Sequence, residues 1–262
     1  MVCLFTKEKS MNKMVFWESH NDPEKVYEAL CNGQVVIGDS DTVLGLYAPL
    51  SQQGFAALND LKGRSQKPYL VLVADAYKAQ SFIDKPLSAS LVKIMNACWP
   101  GPVTLICEAR KDLPAYVKGN EGTIGLRVPN HKGLQSILSR CEGLFSTSAN
   151  KTGVPVPESI YQVDKTILEQ ISLGIFNKES FDKEKVTKEN SNNVIKENAT
   201  KNSRENSSQS TSGALNMSSA PSTSNAIAST ILDCTEDQIK LIRAGAYPVA
   251  LIEHQAGVKI KG

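Results

Sequence analysis

Short runs of consecutive apolar residues alternate along this chain with stretches whose apolar positions recur every three or four residues. The first pattern marks strands buried on both faces, the second amphipathic helices. Asp22-Pro23-Glu24 opens a helix, with an N-cap acid, a proline at the first helical position and an acid in the first turn. Val26, Ala29 and Leu30 form its apolar stripe and Asn32-Gly33 stops it. Gln34–Ile37 reads as a short buried strand, running into a polar turn, 38–45, bracketed by Gly38 and Gly45. From about Ser51, Phe55, Leu58 and Leu61 recur at helical spacing, delivering Lys62 and Arg64 at the helix end. Tyr69–Val73 is an unbroken apolar run, hence a core strand.

Helical patterns follow near Ala76–Phe82 and Ser88–Ala97. Trp99-Pro100-Gly101-Pro102 breaks the second before a strand at Val103–Cys107. Thr123–Val128 is a strand halted by Pro129, Lys132–Leu138 a helix, and Leu144–Thr147 a strand that runs into the turn Ser148-Ala149-Asn150. Strands interleaved with helices predict an α/β sheet with ligands bound at strand ends.

The pattern lapses between 177 and 225, where Asn, Ser, Lys, Glu and Thr dominate. Such a segment buries too little apolar area to offset its ordering entropy and is expected to be a disordered insert, its two ends close together on the folded surface. Strand-like runs at Ile227–Asp233 and Gln238–Arg243 are expected to complete the sheet. The domain reading is therefore a single unit over 15–262, interrupted at 177–225 and preceded by a ragged leader at 1–14, with Met11 and Met14 as alternative starts.

An apolar fraction of 41% over 262 residues supports a real core, and a formal charge of +2 is too small to argue for a nucleic-acid surface. Six scattered cysteines without a Cys-x-x-Cys pair, and three dispersed histidines, support neither a zinc site nor a disulfide framework. With no membrane-length apolar run and no signal-like start, the expectation is a cytoplasmic protein with no membrane partner.

The densest chemistry is at Lys62, Arg64 and Lys67, three cations on the turn that feeds the core strand. Fixed cations at a sheet edge suit a polyanion such as a triphosphate; the same residues also read as an ordinary basic turn. Other candidates fall at strand ends: Thr42; Thr123 and Arg127; Ser146, Thr147, Ser148 and Asn150; Ser229 and Thr230; and Arg243. Each hydroxyl alone also reads as a local backbone partner, and Arg127 as half of a buried ion pair. No P-loop, dinucleotide fingerprint, nucleophile elbow or His-Glu-x-x-His motif occurs.

Taken in order, several segments resemble the YrdC family of threonylcarbamoyl-AMP synthases. They are Asp41-Thr42-Val43-x-Gly45-Leu46, Lys62-Gly63-Arg64 with Lys67-Pro68, Trp99-Pro100-Gly101-Pro102-Val103-Thr104, Gly125-Leu126-Arg127-Val128-Pro129, Ser148-Ala149-Asn150, and Ser229-Thr230 with Arg243-Ala244-Gly245. The resemblance implies a twisted open mixed α/β sheet, flanked by helices, around a large concave pocket. It implies synthesis of L-threonylcarbamoyladenylate and pyrophosphate from L-threonine, bicarbonate and ATP, the first step toward N6-threonylcarbamoyladenosine in tRNA. Lys62, Arg64 and Lys67 would carry the catalysis. Arg64, Lys67, Thr123, Ser148, Asn150 and Arg243 would hold ATP, and Thr42, Leu72, Arg127, Ser146 and Ser229 the threonine. The resemblance further implies Mg²⁺ carried by ATP, no protein-bound metal or organic cofactor, delivery of the product to a tRNA threonylcarbamoyl transferase complex, and tRNA or double-stranded RNA as a further ligand.

The sequence departs from the family pattern in particular places. Asp39-Ser40 replace the usual Pro-Thr and Leu44 the usual Tyr, so the floor of the threonine site is expected to differ. The stretch from Arg64 to Lys67 is one residue short, and the polar insert stands where an Asp-Gly-Gly turn precedes the Ser-Thr strand. No C-terminal second domain of the kind found in longer members is expected. Two competing functions remain: a double-stranded RNA or tRNA-binding module without chemistry, and a carbamoyl-transfer enzyme. The modest charge weighs against the first and the missing cysteine pairs against the second.

Overall fold

The computed structural model describes residues 13–63, 68–84, 86–119, 121–187 and 227–262. It divides into two units, Met1–Phe176 with Ala226–Gly262, and Asn177–Asn225.

Ten strands of the first unit join in one open mixed sheet. They are β1 (Met14–Phe16), β2 (Val36–Gly38), β3 (Gly45–Pro49), β4 (Leu70–Leu72), β5 (Val103–Glu108), β6 (Thr123–Arg127), β7 (Leu144–Ser148), β8 (Leu173–Phe176), β9 (Thr230–Asp233) and β10 (Lys240–Arg243). Their spatial order is β1-β8-β2-β3-β7-β4-β6-β5-β9-β10. The β1–β8, β2–β8, β4–β6 and β5–β9 pairs are parallel; the others are antiparallel. Helices α1 (Asp22–Cys31), α2 (Gln52–Lys62), α3 (Ala76–Gln80), α4 (Ala89–Cys98), α5 (Lys132–Leu138) and α6 (Lys165–Gln170) occur between the strands, and the last helix (Val249–Ala256) follows them.

Local chemistry explains the helix ends. Ser51 caps α2 by accepting the Gly54 N–H at 3.1 Å. Gly63 closes α2 at φ 60°, a left-handed turn that fixes where Lys62 leaves the helix. In α1 the cap residue is Asn21, one before the expected Asp22. The Asp22 carboxylate instead accepts the Phe16 N–H at 3.1 Å, tying the helix to β1. Val26, Ala29 and Leu30 of α1 and Leu134, Ile137 and Leu138 of α5 pack with Val36, Tyr47, Leu72, Leu144 and Ile175 in one apolar cluster. Its strand members show why β2, β4 and β8 are so apolar.

Three sequence expectations need correction. Met14, assigned to the leader, is the first residue of β1 and sits opposite Gly174; residues 1–12 lie outside the described part. Residues 178–187, assigned to the disordered insert, are helical. This helix (α7) is capped by the Asn177 side chain and laced by i,i+4 pairs, Lys178–Asp182 at 2.8 Å and Lys183–Glu179 at 2.6 Å. The rest of that segment, 188–225, lies outside the described residues.

The third correction concerns the ends of the insert. The strands on either side of it, β8 and β9, are not neighbours: six strands stand between them. At about 4.8 Å per strand they are roughly 33 Å apart along the sheet. A fully extended chain covers that with about 10 residues, and a Gly/Ser coil matches it at about 36. Replacing 177–225 with a Gly/Ser linker of about 36 residues should therefore preserve the melting temperature, whereas a six-residue linker should prevent β9 from docking on β5. Cooperative melting of the six-residue variant at the parental temperature would overturn the strand order.

Candidate functional site

Residues of β3, β4, β5, β6, β7, β9 and β10 line a cavity of about 220 Å³. The two-residue period of a strand decides which side chains reach it. Along β7, Leu144 enters the apolar cluster while Ser146 and Ser148, on the same face, line the cavity. Along β4, Leu72 is fully buried in that cluster and Leu70, two residues earlier, lines the cavity. The sequence placed Leu72 in the threonine site; the lining position on this strand is Leu70.

Arg127, the last residue of β6, is buried yet lines the cavity. Its Nη1 donates to Thr42 Oγ1 at 3.1 Å and lies 3.2 Å from Asp41 Oδ1. Thr42 is held in turn by Ser40, whose hydroxyl accepts the Thr42 N–H, contacts Thr42 Oγ1 at 3.0 Å and donates to the Val43 carbonyl. The other Asp41 oxygen accepts the Asn130 N–H at 2.9 Å, so the 38–45 turn is fastened to the chain that follows β6. Two buried atoms of this network, Arg127 Nε and Asp41 Oδ1, have no hydrogen-bond partner. A half-satisfied guanidinium at a cavity wall is suited to an incoming anion. Arg127 is thus half of a buried ion pair and also faces the cavity.

Lys62 is also buried. Its ammonium donates to the Ser148 carbonyl at 2.8 Å and to Asn150 Oδ1 at 3.1 Å. Ser148 Oγ donates to the same Asn150 oxygen, and Asn150 Nδ2 to the Val154 carbonyl. Lys62 is therefore a brace for the turn after β7 and is not part of the cavity lining. Arg64 and Lys67 lie outside the described residues.

On the far side, Thr104 of β5 and Ser229, just before β9, join hydroxyls at 2.9 Å, both buried. Arg243 reaches back from β10, its Nε and Nη2 donating to the Ser229 carbonyl at 3.2 and 2.8 Å. Thr230 Oγ1 donates to the Tyr247 carbonyl at 2.6 Å, and the Ala246 N–H to Ala228 O at 2.8 Å. The chain passes so close here that a Cβ on Gly245 would lie 2.3 Å from Ala228 O and 2.5 Å from Ser229 O. Burial, and then the charge of Arg127, hold the Arg243 guanidinium below its usual pKa.

Of the candidates, the structure brings Thr42, Arg127, Ser146, Thr147, Ser148, Ser229 and Arg243 to one cavity. Thr123 is not among its lining residues; it opens β6 opposite Glu108, four residues before Arg127, about 13 Å along the strand. Ser40, named in the sequence only as a departure from the family pattern, also lines the cavity, and sequence reasoning missed Tyr47, Thr104 and Val156, which line it too. Thr104 stood in a quoted motif, but only the parallel pairing of β5 with β9 reveals its partner. Tyr47 donates from its hydroxyl to the Asp39 carbonyl at 3.1 Å, and burial keeps that hydroxyl protonated. Among the described residues, no carboxylate lines the cavity and two guanidiniums do. Among the described residues, no cluster of His, Cys, Asp or Glu could hold a metal ion, and no helix is long and apolar enough to cross a membrane.

Comparison with known proteins gives concordant matches. The Sua5_yciO_yrdC family model, described as "Telomere recombination", matches residues 28–188. A threonylcarbamoyl-AMP synthase of Nitrosococcus oceani is 35% identical over 153 residues, 56% of this chain and 82% of that protein. The crystal structure of P. abyssi Sua5 complexed with L-threonine superposes with a TM-score of 0.66 at 20% identity, covering 94% of this chain and 61% of that one. E. coli YciO superposes with a TM-score of 0.65 at 15% identity, covering 91% of this chain and 97% of that one.

Proposed function

Since this chain belongs to the Sua5/YciO/YrdC family, we propose that its cavity binds L-threonine and that the protein makes L-threonylcarbamoyladenylate from threonine, bicarbonate and ATP. The curated relatives named threonylcarbamoyl-AMP synthase support the activity. The observation that carries the reading is a cavity whose described lining has two guanidiniums, a wall of hydroxyls and no carboxylate. All the substrates of this reaction bear negative charge, and that wall is complementary to them.

The reaction follows from their chemistry. The threonine amine and bicarbonate give a carbamate with loss of water. A carbamate oxygen attacks the α-phosphate, forming the mixed anhydride as the bond to the β-phosphate oxygen breaks and pyrophosphate leaves. This displacement calls for alignment and charge neutralisation, with no covalent enzyme intermediate. Arg127 pairs with the threonine carboxylate from the buried end, where Thr42 and Asp41 fix its plane. Ser146 and Ser229 line the amino-acid subsite. At about 220 Å³ the cavity is smaller than the roughly 300–1,000 Å³ of drug-sized clefts. Its enclosed part therefore suits an amino acid, and the nucleotide extends across the mouth. There Ser148, Asn150 and Arg243 meet ATP, and Arg64 and Lys67 neutralise its phosphates. Mg²⁺ carried by the triphosphate would withdraw charge from it; among the described lining residues there is no carboxylate to hold the ion separately. The protein works in the cytoplasm, its adenylate passes to a tRNA threonylcarbamoyl transferase complex, and tRNA is a further ligand.

Pyrophosphate release by the purified protein tests this reading. Release should require threonine, bicarbonate and ATP together and fall to background when any one is omitted. ATP turnover indifferent to threonine would overturn it. Efficient use of carbamoyl phosphate in place of threonine and bicarbonate would reassign the protein to carbamoyl transfer.

A further inference from the structure

Thr104 lies in the same cavity and carries no role in the reaction as described so far. Its hydroxyl is 2.9 Å from that of Ser229, and both side chains are buried. The two hydroxyls hold two protons, of which one lies between the oxygens. Whichever oxygen donates it, one proton is left, with no acceptor for it among the described residues, on a wall that faces the ligand. Arg243 resolves the direction. Its Nη2 lies 3.4 Å from Ser229 Oγ, and its stronger bonds grip the Ser229 carbonyl. A cation beside Ser229 Oγ makes the serine hydroxyl the better donor to a ligand and leaves Thr104 to donate to it.

The backbone holds Thr104 in this pose. The β5–β6 register sets Leu105 opposite Leu126, which puts Thr104 in line with Arg127 across the sheet. Its Cγ2 faces the open side of Gly125, where an added Cβ would lie 3.7 Å away. A β-branched side chain has few χ1 choices. With the methyl seated over Gly125, the hydroxyl is directed to Ser229.

We infer that Thr104 is a positioning residue that orients the Ser229 hydroxyl to read the side-chain hydroxyl of the amino-acid substrate, and so sets the preference for threonine over amino acids of similar size that lack it. The inference rests on the threonine-binding reading above. Arg127 reads the carboxylate at one side of the cavity; a buried hydroxyl pair at the other is a suitable recogniser for a neutral hydroxyl. Such sites discriminate strongly, because a ligand without the hydroxyl leaves buried polar groups unpaired.

The test compares L-threonine with L-2-aminobutyrate, which lacks the hydroxyl, in the full chain with ATP and bicarbonate. Thr104→Val should raise the threonine KM by about tenfold or more, leave the KM for 2-aminobutyrate and for ATP within about twofold, and change kcat little. Thr104→Ser should restore most of the threonine preference. Ser229→Ala should lose the preference as Thr104→Val does, and the double variant should lose no more. An equal rise in KM for both amino acids would show a merely structural role and overturn the inference, as would an unchanged preference in Thr104→Val. If Thr104→Val fails to melt cooperatively, Ser229→Ala decides in the same way. Wild-type protein without threonine-dependent pyrophosphate release would overturn the functional reading and this inference together. An active wild type with an unaltered preference in the variants would overturn this inference alone.

Discussion

Arg127→Ala is expected to raise the threonine KM by at least about thirtyfold, because truncating one partner of a desolvated charge pair costs on the order of 2–5 kcal/mol. The ATP KM should change far less, since Arg127 sits at the buried end of the cavity behind Thr42. Stability should fall as well. Asp41 Oδ1 already lacks a hydrogen bond, and without the guanidinium 3.2 Å away its charge would be buried and unpaired. A second variant separates the two losses. Arg127→Met combined with Asp41→Asn removes both charges, keeps an acceptor for the Asn130 N–H, and should recover much of the melting temperature while the threonine KM stays high. Arg127→Lys keeps the charge without the planar fork and should fall between wild type and alanine. A threonine KM within threefold of wild type in Arg127→Ala would place the carboxylate elsewhere.

Arg127 was legible in the sequence because a cation in an otherwise apolar strand has to be paired or functional, and here it is paired with Asp41 and lines the cavity. Ser148, Ser229 and Arg243 were legible for a related reason: they stand where strands begin or end, and Ser146 shares a face of β7 with Ser148. What the sequence withheld depends on register and on neighbours distant in the chain. Leu70 and Leu72 have the same chemistry and share a face, and only the pairing of β4 with β6 and β7 shows which reaches the cavity. Asp41 reads as one more polar turn residue until Asn130 and Arg127 close around it. Lys62 reads as a phosphate ligand until its ammonium is found bracing Ser148 and Asn150.

Other misreadings have simpler causes. Helix α7 has no apolar stripe, and periodicity alone does not detect a helix laced by Lys–Glu and Lys–Asp pairs. A disordered insert is expected to have its ends close together, and in the 177–225 segment they are not. Strand order is a global property, and β8 and β9 lie toward opposite ends of it. The family pattern's Tyr at position 44 is Leu here, yet a tyrosine ring lines the cavity from position 47, held by the Asp39 carbonyl. That substitution lies in the 38–45 turn, one residue before β3, rather than on the Thr104 side of the cavity.

The second large effect is expected at a glycine that touches no substrate. Gly245→Ala should lower threonine-dependent activity by more than about tenfold and lower the melting temperature, although the residue is nowhere in the cavity lining. The added Cβ would meet Ala228 O at 2.3 Å, Ser229 C at 2.4 Å and Ser229 O at 2.5 Å. All three are backbone atoms, so no rotamer change relieves the overlap and one of the two chain segments has to move. Overpacking of this kind costs about 1–3 kcal/mol, and the movement falls on the contacts that shape the site. The Arg243 grip on the Ser229 carbonyl, the Ala246–Ala228 bond and the Thr230–Tyr247 bond all span the same gap. Opening it draws Ser229 away from Thr104 and turns Arg243 out of the cavity at once. Gly257→Ala provides the control. It stands at φ 61° after the last helix with nothing within 4 Å of the added Cβ. Its cost is left-handed strain alone, about 1–2 kcal/mol, or a few degrees of melting temperature in a protein of this size, with kcat and both KM values unchanged. Equal activity losses in the two variants would trace the Gly245 effect to global stability. Loss confined to Gly245→Ala, with threonine KM rising more than that for 2-aminobutyrate, would trace it to the clasp that holds Ser229 against Thr104.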